Sequence, residues 1–515
     1  MEDSMKKPLF RLMASLIVLT MMLCALGSCT DETTSQSESS ANVSVEESVE
    51  DTSSGEIVYK ADLPSTLDFK AEEFIILSSY GSDPSSADYP FFGGNGEYES
   101  SVVNDAVMNR NLAVEELLKV KIVEDMMQDS NRYGGGSLHT KVSTAVNSDV
   151  VEFDMISASL YNCAKMTSAG LLQDLVSMEY LHELSEPWWS EAFNKEIEMD
   201  GSIYYTSGDI SFANIAGTFC LAFNKTVQKD YDIPDLYQLV KDKKWTFDEY
   251  FKQGKKINED LDNNGRWNYN DKIGIVGQQS MMWAMMYAGG ERIARPGDDG
   301  YPVITVYTER NVNLIKDAIA VLGNKETFLS ANDYFNESNS PMDFVYQNFF
   351  NNYSLFFGGA INNIASVLKD MPDDFGVLPY PMYDETQDDY YSLISPWTGN
   401  AVCVPALLTD DKLEKIGAVM EAMGAEGKNH ITKAYFETTL KEQKTRDEDS
   451  MAMLDLINRT SGCDIGQAYQ WGDLPVQFQH MVRDNNSNFT QIYDSLKSRI
   501  DSELQKTIDS LKQIK

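Results

Sequence analysis

The densest oxygen chemistry in the chain is Asp260-Leu261-Asp262-Asn263-Asn264-Gly265-Arg266-Trp267-Asn268-Tyr269-Asn270-Asp271. Asp260, Asp262, Asn264, Asn268 and Asp271 fall at loop positions 1, 3, 5, 9 and 12, and Gly265 stands at position 6, where the chain must bend sharply. Hard cations are held by such oxygen cages, and position 7, Arg266, would add its backbone carbonyl. The spacing points to calcium as a structural ion. Asp271 is shorter than the glutamate that usually closes such a loop, which costs affinity or requires a shifted backbone. The competing reading is a solvated Asn-Gly turn in an acid-rich chain.

Catalytic signatures are mostly missing. The four histidines (His139, His182, His430, His480) are scattered, and neither H-E-x-x-H nor G-x-S-x-G occurs. Tyr133-Gly134-Gly135-Gly136-Ser137 lacks the Lys-Ser/Thr of a phosphate loop and reads as a flexible turn. Acid pairs are abundant, so counting alone leaves a glycosidase dyad open.

The N-terminus carries a different chemistry. Lys6, Lys7 and Arg11 precede a stretch from Leu12 to Leu26 that is apolar apart from Ser15 and Thr20. A basic start and a short apolar core mark an export signal, too short for a comfortable membrane span. It closes on Leu26-Gly27-Ser28-Cys29, which resembles the lipobox of bacterial lipoproteins. That resemblance implies cleavage after Ser28, a diacylglycerol on Cys29, and a protein anchored at the extracellular face of the cell membrane by lipid alone. Residues 29–56, rich in Ser, Thr, Glu and Asp, cannot bury enough apolar surface to offset their ordering entropy and read as a disordered tether. A flexible segment of that length spans about 30 Å.

The formal charge is −38, or −39 without residues 1–28. Nucleic acid is therefore excluded as a natural partner, and anionic lipid is disfavoured. Aromatic residues make up 11%, including 26 Tyr, which suits the stacking of sugars on flat rings. Cys163, Cys220, Cys403 and Cys463 remain in the mature chain without a C-x-x-C, so a zinc site is not expected; export permits disulfides, but the pairing stays open.

These residues need elements to position them. Glu72–Ser78 reads as a first strand, 102–118 has helical spacing, Lys119–Val123 alternates as a second strand, and Val150–Ile156 is a third. The clearest helix is C-terminal, with Phe489, Ile492, Tyr493, Leu496, Ile500, Leu504, Ile508 and Leu511 on one face behind a cap at Ser487 or Asn488. Alternating strands and helices predict α/β layers.

Four local patterns follow one another. They are Phe153-Asp154-Met155 before Gly170-Leu171-Leu172-Gln173-Asp174-Leu175, Leu221-Ala222-Phe223-Asn224-Lys225, Lys244-Trp245-Thr246-Phe247-Asp248-Glu249-Tyr250, and Phe375-Gly376-Val377-Leu378-Pro379-Tyr380-Pro381. In order and spacing this resembles the family 1 extracellular solute-binding lipoproteins of carbohydrate-type ABC transporters, which are similar to maltose-binding proteins. The resemblance implies an α/β, two-lobed type II clamp, each lobe a sheet flanked by helices. Lobe I would comprise 57–222 and 377–430, and lobe II 223–376 and 431–515. It also implies a monomer without catalytic residues that captures a carbohydrate, an oligosaccharide in the first instance, and hands it to an ABC permease. By position in that fold, Tyr80, Asp209, Trp283, Trp397 and Trp471 are the ligand-binding candidates, each Trp competing with a packing role; Trp188-Trp189 reads as packing. The alternatives are a surface-anchored glycoside hydrolase, or the same fold binding a peptide or another solute.

Overall fold

The computed structural model describes residues 57–80, 92–93, 102–181, 184–368, 371–440 and 448–514, all within one compact unit, Val49–Lys515. The export signal (1–28), Cys29 and the tether (29–56) lie outside the described residues.

Nine strands build two sheets: β1 (Glu72–Tyr80), β2 (Val120–Gln128), β3 (Met155–Ser159), β4 (Phe219–Asn224), β5 (Ile275–Gly277), β6 (Phe328–Ser330), β7 (Phe356–Ala360), β8 (Phe375–Leu378) and β9 (Asn400–Cys403). The first sheet has the order β9-β3-β1-β2, with β1, β2 and β3 parallel and β9 antiparallel to β3. The second has the order β8-β4-β7-β5-β6, in which β5 runs parallel to β6 and β7 while β4 runs antiparallel to β7 and β8. Every residue of β3 and β4 is buried, as expected of strands covered on both faces. This is the two-lobed α/β clamp architecture, one sheet to a lobe.

The first strand and the helix α1 (Val102–Leu118) fall where the apolar spacing predicts. The third strand lies several residues later than expected: 150–154 approaches it without pairing, and Asp154 accepts the Ile75 N–H at 2.8 Å while its own N–H donates to Ile75 O.

Leu221-Ala222-Phe223-Asn224 and Phe375-Gly376-Val377-Leu378, read as crossings between lobes, are neighbouring antiparallel strands of the second sheet. The passage from the first sheet to the second therefore precedes Phe219, where Ser395 N donates to Gly217 O at 2.9 Å and Thr218 bridges Ile394. Boundaries at 222/223 and 376/377 would cut through β4 and β8. A fully buried strand and a buried crossing carry the same apolar run, and periodicity alone does not separate them.

Helices cover the sheets: α2 (Ser137–Asn147) and α3 (Leu160–Ser168) in the first lobe, and α4 (Met281–Ala288), α5 (Glu309–Leu322) and α6 (Met342–Phe350) in the second. Helix α7 (Asp410–Leu440), about 46 Å long at 1.5 Å per residue, packs along α1 and also meets Ile361–Ser366 beyond β7. After α8 (Ile465–Tyr469) and α9 (Leu474–Arg483), α10 (Phe489–Ile514) touches both α3 and α5. Residues 431–515 thus tie the lobes together instead of belonging to the second alone. Asn488 Oδ1 accepts the Gln491 N–H at 3.2 Å, making Asn488 the cap of α10. Among the described residues no helix is long and apolar enough to cross a membrane.

Candidate functional site

The carboxyl ends of β1, β2 and β3 lie at one edge of the first sheet, and antiparallel β9 begins there. In the second sheet β5, β6 and β7 end at one edge, where antiparallel β4 begins with Phe219 opposite Ala360. The passage joins these two edges, because the segment before β9 pairs with the residues just before β4. Ligands of open α/β sheets lie beyond the carboxyl ends of the strands, so the two edges joined by this passage define the candidate cleft.

The first edge is a built structure. The Gly134–Gly136 stretch is not the flexible turn expected. Asp129 Oδ1 accepts the N–H groups of Asn131 (3.3 Å) and Leu138 (3.4 Å) and the Ser137 hydroxyl (3.3 Å), while Oδ2 accepts Asn162 Nδ2 at 2.7 Å. A Cβ at Gly136 would collide with Asp129 Oδ1, and Gly134 and Gly135 adopt φ of 93° and 87°. The N-terminus of α2 is therefore occupied by the chain's own carboxylate, which is why this glycine-rich loop is no phosphate cradle.

Arg132, next along this loop, is 6% exposed. Its Nε donates to Trp397 O (2.8 Å), Nη1 to Ser79 O (3.1 Å), and Nη2 to Asn400 Oδ1 (2.6 Å) and Thr398 O (3.5 Å). Burial lowers its pKa to about 10, opposed by Asp129, so it stays cationic at neutral pH. The Arg132 Cζ stands 5.6 Å from the centroid of the Trp397 ring, which remains 38% exposed. Tyr133 is 52% exposed, its ring 5.3 Å from that of Tyr161, and its carbonyl accepts Gln470 Nε2 at 3.3 Å.

The second edge is lined by amides. Gln278 and Gln279 follow β5, Asn332 follows β6, and Asn362 and Asn363 follow β7. Gln279 N donates to Asn332 Oδ1 (2.9 Å), and Asn363 Nδ2 donates to the Tyr346 hydroxyl (3.1 Å). The Asn362 Oδ1 is buried without a hydrogen-bond partner. An amide both donates and accepts, which matches a hydroxyl-rich guest.

Of the sequence candidates, Tyr80 and Trp397 stand at the first edge: Tyr80 ends β1 and is half-buried, and Trp397 precedes β9. The other three are buried and partnered. Trp283 is 5% exposed in α4 with its indole N–H on Pro475 O at 2.7 Å; Trp471 donates to Thr507 Oγ1 at 3.0 Å and stacks on Tyr469. Asp209 is held by Lys428 Nζ at 3.2 Å and by the Thr432 hydroxyl, both on α7. In α4 the apolar run Met-Met-Trp-Ala-Met-Met-Tyr-Ala is buried all round, leaving no cleft-facing side for Trp283. Trp188 and Trp189 are buried as expected. Sequence reasoning missed Arg132, Tyr133 and the amides; amides placed directly after short apolar runs were the available signal. Cys163, Cys220, Cys403 and Cys463 are buried free thiols.

A second arrangement lies away from the cleft. The loop Asp260–Asp271 is closed by an antiparallel bridge between Glu259 and Lys272, a hairpin base where an EF-hand would have two helices. Gly265 adopts φ 72° and donates its N–H to Asp260 Oδ2 at 2.8 Å, the largest of the influences that hold the Asp260 carboxyl below its usual range. Carboxylate oxygens of Asp260, Asp262 and Asp271 lie within 4.8 Å of one another. Asp260 Oδ1 is buried with no hydrogen-bond partner. Asn264 Oδ1 accepts the Arg266 N–H (2.6 Å) and Asn268 Oδ1 the Asn270 N–H (3.0 Å), so the amide oxygens face their own loop. Asn348 Nδ2, on α6, anchors the loop through Tyr269 O (2.9 Å) and Asp271 O (2.8 Å).

No family model matches the chain, and no curated protein matches it. Solved structures share its fold. An ABC substrate-binding protein from Listeria monocytogenes in complex with cycloalternan is 13% identical, with 86% of this chain and 98% of that one covered at a TM-score of 0.50. A cyclic alpha-maltosyl-1,6-maltose binding protein from Arthrobacter globiformis is 12% identical over 86% and 98% of the two chains, with a TM-score of 0.51. A family 1 extracellular solute-binding protein from Bifidobacterium longum subsp. infantis is 13% identical over 84% and 98%, with a TM-score of 0.51. The chain has the fold of ABC-transporter solute-binding proteins.

Proposed function

We propose that this protein is a lipid-anchored extracellular receptor that captures an uncharged carbohydrate, an oligosaccharide, between its two lobes and delivers it to an ABC importer. The observation that carries the reading is the Trp397 ring, 38% exposed at the first edge over the Arg132 guanidinium; the amides that follow β5, β6 and β7 supply polar groups at the second edge. An indole offers a stacking surface for the C–H face of a pyranose, and amides and hydroxyls bond its rim. Two of the solved structures that share the fold are named for cycloalternan and for cyclic alpha-maltosyl-1,6-maltose, which fits the same chemistry. The net charge of −38 disfavours anionic guests.

The hydrolase alternative needs two carboxyl groups facing one glycosidic bond. Among the described residues, two carboxylates at the edges are already committed: Asp129 to Asn162 and the start of α2, Asp333 to Lys325 at 3.3 Å. Binding without turnover is the reading that follows. A thermal-shift panel of neutral oligosaccharides and peptides, with product analysis, tests it. A sugar is expected to raise the melting temperature and to be recovered unchanged. A response to peptides alone, or a cleaved sugar, would sink the proposal.

Calcium is proposed for the Asp260–Asp271 loop, with Asp260, Asp262 and Asp271 as carboxylate ligands and the Arg266 carbonyl, Asn264 and Asn268 completing the set after small rotations. The three converging carboxylates and the orphaned Asp260 Oδ1 fit a hard cation. Its role would be to pin a lobe surface.

A further inference from the structure

We infer that Arg132 is the positioning residue of the cleft: it fixes the Trp397 ring with one face covered by the guanidinium and the other left open as a preset platform. A guanidinium has five N–H donors in a rigid plane. Here they reach four acceptors from three places, the end of β1 (Ser79 O), the approach to β9 (Trp397 O and Thr398 O) and β9 itself (Asn400 Oδ1). The Arg132 backbone is pinned in turn, because its carbonyl accepts the Ser159 hydroxyl at 2.7 Å at the end of β3. Three strands thereby converge on one residue, and its side chain holds the loop carrying the indole. An exposed Trp on an unsupported loop would have to be ordered by its guest, and ordering it in advance removes that cost from binding.

A second consequence concerns specificity. Arg132 spends four of its five donors on the protein, so it offers no two-pronged fork to a carboxylate or phosphate on a sugar. The cation at the centre of the first edge shapes the site without selecting anions.

The role of Trp397 as a sugar platform rests on the carbohydrate reading; the positioning itself does not, and its test uses no sugar. The chain labelled with 5-fluorotryptophan has seven tryptophans to report, and the ¹⁹F resonance missing from Trp397→Phe belongs to Trp397. In Arg132→Lys a single ammonium cannot reproduce the planar set of bonds, and Asn400→Ala removes the acceptor of the shortest one. The expected result is a shifted or broadened Trp397 line, with the other six in place, in each variant that folds. If Arg132→Lys fails to fold, Asn400→Ala decides alone. A Trp397 line at the wild-type position in every folded variant overturns the inference. So does a change spread over all seven lines of a folded variant, because Arg132 would then support the lobe and not the ring. Maltotriose added to the wild-type chain is a separate arm. If the line is insensitive to this and to other neutral trisaccharides, that counts against the carbohydrate reading and leaves the positioning result standing.

Discussion

Trp397 and Trp283 belong to the same residue type and are expected to fail in opposite ways. Truncating the exposed Trp397 to Ala removes a stacking surface and little packing, so carbohydrate affinity should fall at least about tenfold while the melting temperature barely moves. Trp283→Ala deletes a buried indole and its bond to Pro475 O, with an expected loss of about 3–5 kcal/mol of stability. Denaturant titration and calorimetric binding on both variants separate the two roles. Composition announced eleven per cent aromatic residues but not which ring stays open. That depends on tertiary neighbours: α5 and α9 close over Trp283, while Trp397 is propped from one side by Arg132. Glu421 gives a residue-scale pH signature. It is fully buried in α7, bonded through Oε2 to Trp189 Nε1 at 2.9 Å, with Oε1 unpartnered. Burial pushes its carboxyl from 4.5 up to about 7. The folded state then holds the proton more tightly than the unfolded one, so this contribution is full below about pH 4.5 and is lost as pH rises through 7. The loss amounts to about 3 kcal/mol at most. Glu421→Gln should abolish that slope, so that its stability relative to wild type increases between pH 5 and pH 8. Equal slopes for both proteins in urea titrations at the two pH values would rule this out.

Elements decide how the chemistry is placed. The strand ends that make the cleft were partly legible: β1 and α1 fell where apolar spacing put them, and Phe489–Ile514 followed its predicted face and cap. The handover between sheets was not, because β4 and β8 are as apolar as a buried crossing and only their hydrogen bonding distinguishes them. Likewise the Gly134–Gly136 stretch read as flexible, since the residue that rigidifies it, Asp129, reaches back through its side chain to bonds invisible in a local pattern. Gly136→Ala should therefore disturb the first edge by forcing Asp129 aside, lowering ligand affinity more than an alanine at Gly201, where open space surrounds the α-carbon and only the φ of 77° resists a side chain. The Asp260–Asp271 loop was legible as oxygen spacing, and its hairpin base was not. Its prediction is made at the same scale. Millimolar calcium should raise the melting temperature relative to chelator, and Asp271→Asn should remove most of that rise. Melting curves superimposable with and without calcium would argue for a solvated turn.

At the scale of the whole molecule, the long helix α7 and the C-terminal helices join the two sheets. The described chain starts at Ile57, and Tyr59 is clasped by α7: Asn429 Oδ1 accepts its N–H and Asn429 Nδ2 donates to its carbonyl, both at 2.9 Å, under the Lys428 ammonium 5.1 Å from the ring. The same helix packs on α1 of the first lobe and reaches Ile361–Ser366 of the second. A tether ending there would hold the body at its bridging helix, and tethering to the membrane would raise the effective concentration of receptor at its permease. Clamp closure on a guest is the usual consequence of two lobes joined by short crossings, and X-ray scattering should show a smaller radius of gyration with ligand than without. The most direct test of the central claim is titration calorimetry of the chain and its Trp397→Ala variant against a panel of neutral trisaccharides built from glucose, xylose, mannose and galactose. The account predicts saturable binding of at least one trisaccharide by the wild type, weakened at least about tenfold in the variant. Absence of binding across the panel, or equal affinity in the two proteins, would contradict it.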